Sequence, residues 1–371
     1  MIDDTIPEAS WDWLMGLSHE SIFVAEMCSM ERVPPRVVGL VGQCHRVSHQ
    51  RILANPDDES GWRLWHATAS MLLSRPARGT TSTVGTTERV RRRCRAFLAG
   101  EWASLLVIAE PGAGFPARPV PPAELTLARV YTDTVRLVVQ GQARRAMTRL
   151  DCDALAAPTE ATFAALQALH PASYEAFRRP DVVGEPPLAL VVTLETFHAV
   201  MRSLPRASGP GTTQWRFEHL QALYFHGCDR EIYDICMFII AGRIPIGIRP
   251  WFAGARLVAL CKDGRTQPPE GGVRPIACGE VLRRVCGRLV STTMAQTFSA
   301  YFAHPPAPGC RSVTPVQLGV AVPGGQDIMV HTVQALVELH PDWACASIDI
   351  ENAFNSVSRS VIAGLVLERF P

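Results

Sequence analysis

Asp349 ends the apolar run Ala344-Cys345-Ala346-Ser347-Ile348, a stretch that reads as a β-strand. A carboxylate left unpaired at such a place is costly, so it either caps the following turn or binds a cation. Upstream, Lys262 follows the apolar segment Ala255–Cys261, and Arg274 lies in the segment Val273–Cys278 that reads as its return strand. A third concentration of chemistry is cationic: Arg89, Arg91, Arg92, Arg93 and Arg95 crowd one short stretch. Such a run either tracks a phosphate backbone or forms a solvated helix face. Cys44, His45 and His49 have the spacing of one helical face, but no second cluster completes a metal set, so they read as buried thiols and ordinary histidines.

The elements that must hold these residues can be read from periodicity and turn chemistry. Asn55-Pro56-Asp57-Asp58-Glu59-Ser60 predicts a capped helix start, with Trp62, Trp65, Ala69 and Leu72 on its apolar face. Val90, Cys94, Phe97 and Leu98 predict a helix over about 87–106 that carries the arginine run. Prolines 111, 116, 119, 121 and 122 break the chain, and they exclude a dinucleotide site at Gly112-Ala113-Gly114, where a helix would have to start at once. Helices are expected over about 123–148 and 159–169, then a loop from His170 to Pro187, then a helix from Thr193 to Leu204. Ser208-Gly209-Pro210-Gly211 predicts a tight turn before a helix with Trp215, Phe217, Leu220 and Leu223. The two apolar segments flanking 262–272 form a hairpin, with Pro275 implying an edge or a bulge. A helix over about 280–301, a strand over Ala344–Ile350 and a helix over about 358–369 complete the expected order.

Ser347-Ile348-Asp349-Ile350-Glu351-Asn352-Ala353-Phe354-Asn355-Ser356-Val357-Ser358-Arg359 resembles the first catalytic motif of reverse transcriptases, in the form found in non-LTR (LINE-like) retrotransposons. The resemblance implies that Asp349 is catalytic and binds magnesium, with the Ile350 carbonyl as a second oxygen ligand. It implies that Phe354 crowds the sugar 2′ position of an incoming nucleotide. Leu257–Lys262 with Gly272–Ala277 resembles the fingers hairpin of that family, in which Lys262 and Arg274 would cover the triphosphate. Cys278-Gly279-Glu280-Val281-Leu282-Arg283-Arg284 is similar to the helix start after that hairpin. Gln317-Leu318-Gly319-Val320 with Gly324-Gly325-Gln326 resembles the connection from fingers to palm. Ser208-Gly209-Pro210-Gly211 with Glu218-His219-Leu220 resembles the opening segment, although Gly211 stands where an Asp is usual. The likeness covers about 190–371, and more weakly 85–175.

The implied fold is α+β: a mainly helical N-terminal region over 1–175, then an incomplete right-hand (fingers and palm) domain over 176–371. The implied activity of the parent is RNA-directed DNA synthesis, with an RNA template, a DNA primer, deoxynucleoside triphosphates and Mg2+. That chemistry needs a second carboxylate site, an Asp-Asp hairpin between apolar strands. The Asp-Asp pairs of this sequence are Asp3-Asp4 and Asp57-Asp58, and neither lies between apolar strands. The chain therefore reads as the N-terminal part of such an enzyme, inactive alone. A non-catalytic RNA- or DNA-binding remnant and a decayed product are the alternatives.

Composition sets outer bounds. Lys+Arg total 36 against 35 Asp+Glu, a net charge of +1, so a polyanion site must be a local patch. Of the basic residues only Lys262 is lysine, and arginine suits phosphate through its bidentate fork. A GC-rich coding sequence would give the same bias. The eleven cysteines form no C-x-x-C pair, against a disulfide or zinc scaffold. No apolar run reaches the ~18–20 residues that span a bilayer, and the acidic start Met1-Ile2-Asp3-Asp4 is unlike a secretion signal. An intracellular protein of nucleus or cytoplasm is expected, neither membrane-bound nor secreted.

Overall fold

The computed structural model describes residues 6–19, 22, 29–75, 83–106, 123–139, 141, 143, 146–147, 155–170, 177–178, 190–206, 208–262, 266–303, 318–319, 322–350 and 353–369. Helices dominate, and a two-stranded antiparallel sheet is the sheet found among these residues. The fold is α+β in that sense.

The N-terminal layer contains α1 (Glu8–Gly16), α2 (Val38–Ala54), α3 (Glu59–Leu73), α4 (Thr83–Leu98) and the short α5 (Trp102–Leu105). Asp58 caps α3 as the sequence predicts, its side chain accepting from the Ser60 backbone N–H. Trp62, Trp65, Ala69 and Leu72 are fully buried. The α4 helix is shorter than expected. It stops at Leu98 because Gly100 turns the chain with φ +78°, and a side chain there would collide with Pro7 and Ser10.

Helices α6 (Ala123–Val139) and α7 (Glu160–Ala168) follow. The expected run to residue 148 is interrupted at Gly141, φ +73°, just beyond α6, and the described residues 143, 146 and 147 beyond it are again helical. The G-x-G stretch at 112–114, Arg144-Arg145 and most of the 170–187 loop lie outside the described residues.

Next come α8 (Leu194–Ser203), α9 (Phe217–Leu223), α10 (Asp229–Ile240) and α11 (Arg249–Ala253). Thr193 caps α8 by accepting from the Thr196 N–H. One apolar core runs from Ile6 to Leu289 and is shared by both sides of the 175/176 division. Its centre is Trp215, whose ring stacks on Trp65 with centroids 4.7 Å apart. The Trp215 Nε1–H donates to the Trp65 carbonyl at 3.0 Å. Each large side chain buried there contributes roughly 2–3 kcal/mol.

Strands β1 (Ala255–Cys261) and β2 (Val273–Gly279) form the predicted hairpin. Two helices follow, α12 (Val281–Thr293) and α13 (Ala295–Ala303), where one is expected. The remaining helices are α14 (Gly325–Leu339), the one-turn α15 (Ala353–Ser356) and α16 (Arg359–Arg369).

The Ala344–Ile350 strand is not formed. This stretch is irregular and exposed, with Ile348 at 89% and Ile350 at 71% accessibility. A strand is completed by a neighbour that takes its backbone groups, and no described segment pairs with this one. Apart from Gly325, α14 buries no described residue, and α16 buries none. No helix among the described residues is long and apolar enough to cross a membrane.

Candidate functional site

The hairpin register decides how its cations relate. Leu260 faces Arg274 across the ladder and Cys261 faces Val273. The Lys262 N–H donates to the Gly272 carbonyl at 2.8 Å, which extends the pairing by one residue. Side chains alternate along a strand, so Leu260, Lys262 and Arg274 share one face and Lys262 is the diagonal neighbour of Arg274. The other face carries Cys261 and Val273, both buried. Both cations are exposed, and the Lys262 stem runs over Gly272, where its Cδ would lie 3.3 Å from an added Cβ.

The open edge of β1 is braced. The Ala156 N–H donates to the Ala259 carbonyl at 3.0 Å, and the Gln267 side chain accepts from the Ala157 N–H at 2.8 Å. Pro275 lies opposite Ala259 in β2, an edge strand, where its missing N–H costs no ladder bond.

Glu280 joins the hairpin to α12 and is fully buried. Its carboxylate caps the helix, accepting from the Leu282 N–H at 2.5 Å and the Arg283 N–H at 3.4 Å, and it also accepts from the Thr213 hydroxyl at 2.8 Å. Burial pushes its pKa up, opposed by these hydrogen bonds. The 208–213 turn presses against this junction. A Cβ on Gly211 would stand 2.5 Å from the Gly279 carbonyl oxygen and 2.8 Å from the Glu280 Cα. Close backbone packing thus accounts for a glycine at position 211.

Beside this junction, α12 and the 205–217 segment enclose a groove of about 530 Å³ lined by Arg284 and Arg288. The Arg284 Nη2–H donates to the Gly209 carbonyl at 2.9 Å, and its guanidinium lies 4.5 Å from the centroid of the Phe217 ring. Burial lowers its pKa, partly opposed by the charges of Glu280 and Glu218. Sequence reading placed Arg284 in a helix start and passed over Arg288. Their i, i+4 spacing was the available signal.

The arginine run of α4 divides into structural and exposed members. Arg93 donates to the Met71 carbonyl and, at 2.6 Å, to the Leu105 carbonyl, tying α3 to α5. Burial lowers its pKa to about 10. Arg89 donates to the Ser74 hydroxyl at 3.2 Å, and Arg91 pairs with Glu88. Arg92 and Arg95 are exposed.

Asp349 is exposed and makes no hydrogen bond or ion pair with the described residues. Ile350 follows it, and Phe354 lies in α15 with its side chain outside the described residues. Asp349 and the Ile350 carbonyl offer two of the six oxygens of a magnesium octahedron, which waters and substrate phosphates complete in phosphoryl-transfer sites. No group of three or more His, Cys, Asp or Glu able to hold a metal occurs among the described residues. Thus Lys262 and Arg274 are brought together, and no bond joins Asp349 to them.

His45 and His49 are fully buried, their ring centroids 3.7 Å apart, against Trp65 and Trp215. They belong to the core, as the sequence suggests.

No protein-family model, curated protein or solved structure matches this chain.

Proposed function

We propose that this chain is the fingers and first palm segment of a retrotransposon-type reverse transcriptase, preceded by a helical extension. Its hairpin grips the phosphates of a deoxynucleoside triphosphate through Lys262 and Arg274. Phosphoryl transfer depends mainly on positioning and charge stabilisation, and two cations on one hairpin face supply part of both. The observation that carries this reading is the register. It puts the single lysine and Arg274 on one exposed face, directly before a capped helix.

Asp349, with the Ile350 carbonyl, is assigned to the metal and Phe354 to the nucleotide sugar. These roles rest on the sequence resemblance alone. The second carboxylate pair is not in this sequence, so the chain by itself does not extend a primer. Incubation with an RNA template, a DNA primer, nucleotides and Mg2+ tests this. No extension is expected, and extension abolished by Asp349→Ala would refute it.

A non-catalytic nucleic-acid-binding role is the second reading. It is favoured by where the cations sit: Arg284 is on a helix of the packed core, and Lys262 and Arg274 are on a formed hairpin, whereas Asp349 is on an exposed irregular stretch. That reading expects strand binding that weakens with salt and is indifferent to Asp349→Ala.

A further inference from the structure

The hairpin meets the helices that flank it in sequence through joints of one residue each: Gly254 separates α11 from β1, and Glu280 separates β2 from α12. Ala255 faces Gly279 in the last ladder pair, so the two joints lie side by side. A two-stranded hairpin is only marginally stable by itself. The contacts at its foot therefore decide which way it points.

Arg283, in the first turn of α12, holds both strands at that foot. Its Nη1–H donates to the carbonyl of Ala253, the residue at the end of α11 that leads into β1. Its guanidinium lies against Gly279, the last residue of β2. A Cβ there would stand 2.5 Å from Nη2 and 3.2 Å from Nε and Cζ. The φ of Gly279 is not positive, so glycine serves here by leaving space, and the guanidinium fills the volume of the missing side chain. Arg283 is exposed and makes no ion pair with the described residues, so its polar contact is spent on this clasp.

The opposite side of the foot is fixed as well. The 208–213 turn packs on it through Gly209, whose added Cβ would lie 3.4 Å from the Cys278 Sγ, and through Gly211 against the Gly279 carbonyl. The Thr213 hydroxyl donates to the Glu280 carboxylate at 2.8 Å. The foot is thus gripped between this turn and Arg283.

The hairpin is a lever on that grip. Lys262 lies seven positions beyond Ala255, about 23 Å along the strand direction. A tilt of about 5° at the foot would move it by about 2 Å, enough to break a charge-assisted phosphate contact.

We infer that Arg283 is a positioning residue, clasping the foot of the hairpin so that Lys262 and Arg274 are aimed before a triphosphate arrives. The effect on ligand rests on the triphosphate reading; the effect on the hairpin does not.

The test uses the full chain and two readouts. One is hydrogen exchange of peptides covering 253–262 and 272–280, which needs no ligand, and the other is equilibrium binding of a deoxynucleoside triphosphate. Arg283→Ala should speed exchange at the foot and weaken triphosphate binding roughly tenfold, through lost preorganisation. Gly279→Ala keeps the charge but puts a methyl group where the guanidinium sits, and it should do the same. The atoms it displaces end a flexible side chain, so the fold survives. The double variant should bind no worse than either single one, because both changes break one clasp. Unchanged exchange at the foot in both single variants would overturn the inference. So would affinity losses that add in the double variant, or a loss confined to Arg283→Ala, which would make the arginine a direct phosphate ligand. Faster exchange in both variants, in a protein whose wild type binds no triphosphate, would refute the triphosphate reading and support the clasp.

Discussion

Acidification should unfold this protein through its buried histidines. His49, His66 and His219 are fully enclosed, and burial pushes the pKa of each down to about 3. His45 is shifted the same way, by burial and by the charges of His49 and Arg46. In the unfolded chain each returns to the ordinary value near 6.5. Between about pH 6.5 and pH 3 the unfolded state binds more protons, so stability falls as pH falls through this window. At pH 5 each of the three with a pKa near 3 costs about 2 kcal/mol relative to pH 7.5, or about 6 kcal/mol together. That is comparable to the whole stability of a typical domain, about 5–15 kcal/mol. Glu280 acts in the opposite sense, since its raised pKa lets the folded state take up a proton at higher pH than the unfolded state. As one group against several, it does not reverse the trend. Urea denaturation followed by tryptophan fluorescence reads the effect directly, because Trp65 and Trp215 sit beside these rings. The midpoint should collapse between pH 7.5 and 5, and His49→Phe should flatten the slope by about one proton. A midpoint that stays constant over this range would refute the reasoning.

Three further outcomes are expected. Gly211→Ala should destabilise by about 1–3 kcal/mol, because its Cβ meets backbone that cannot swing aside, and thermal melting checks it. Glu280→Ala removes the α12 cap and leaves the Thr213 hydroxyl without its acceptor, costing roughly 1–2 kcal/mol by denaturant titration. Arg93→Ala should lower stability by about 1–3 kcal/mol through the freed Met71 and Leu105 carbonyls, while Arg92→Ala stays within about 0.5 kcal/mol. Equal melting temperatures for the two arginine variants would contradict that division.

The parts of this fold that are legible in sequence are those fixed by local chemistry. Asp58 and Thr193 announce helix starts because a cap acts within three residues. The hairpin is readable because two apolar segments flank a polar, glycine-containing connection. The end of α4 is misjudged because Gly100 owes its conformation to the packing of Pro7 and Ser10, about ninety residues away. The Ala344–Ile350 strand fails for a related reason. Apolarity marks a segment that could be a strand, but a partner makes it one. Of the site, the shared face of Lys262 and Arg274 follows from register. The groove does not, because it joins residues 205–217 to 284–292 through tertiary packing. The arginine run was legible in composition but not in role, since carbonyl acceptors on other elements claim Arg93.

The central claim is that the hairpin face grips a triphosphate, and its most direct test is equilibrium binding of a deoxynucleoside triphosphate to the full chain. Charge-assisted phosphate contacts contribute about 1.5–3 kcal/mol each. Lys262→Ala and Arg274→Ala should therefore each weaken binding by about tenfold or more, with Arg288→Ala unchanged. A triphosphate affinity that is absent in the wild type, or indifferent to both hairpin substitutions, would contradict the account.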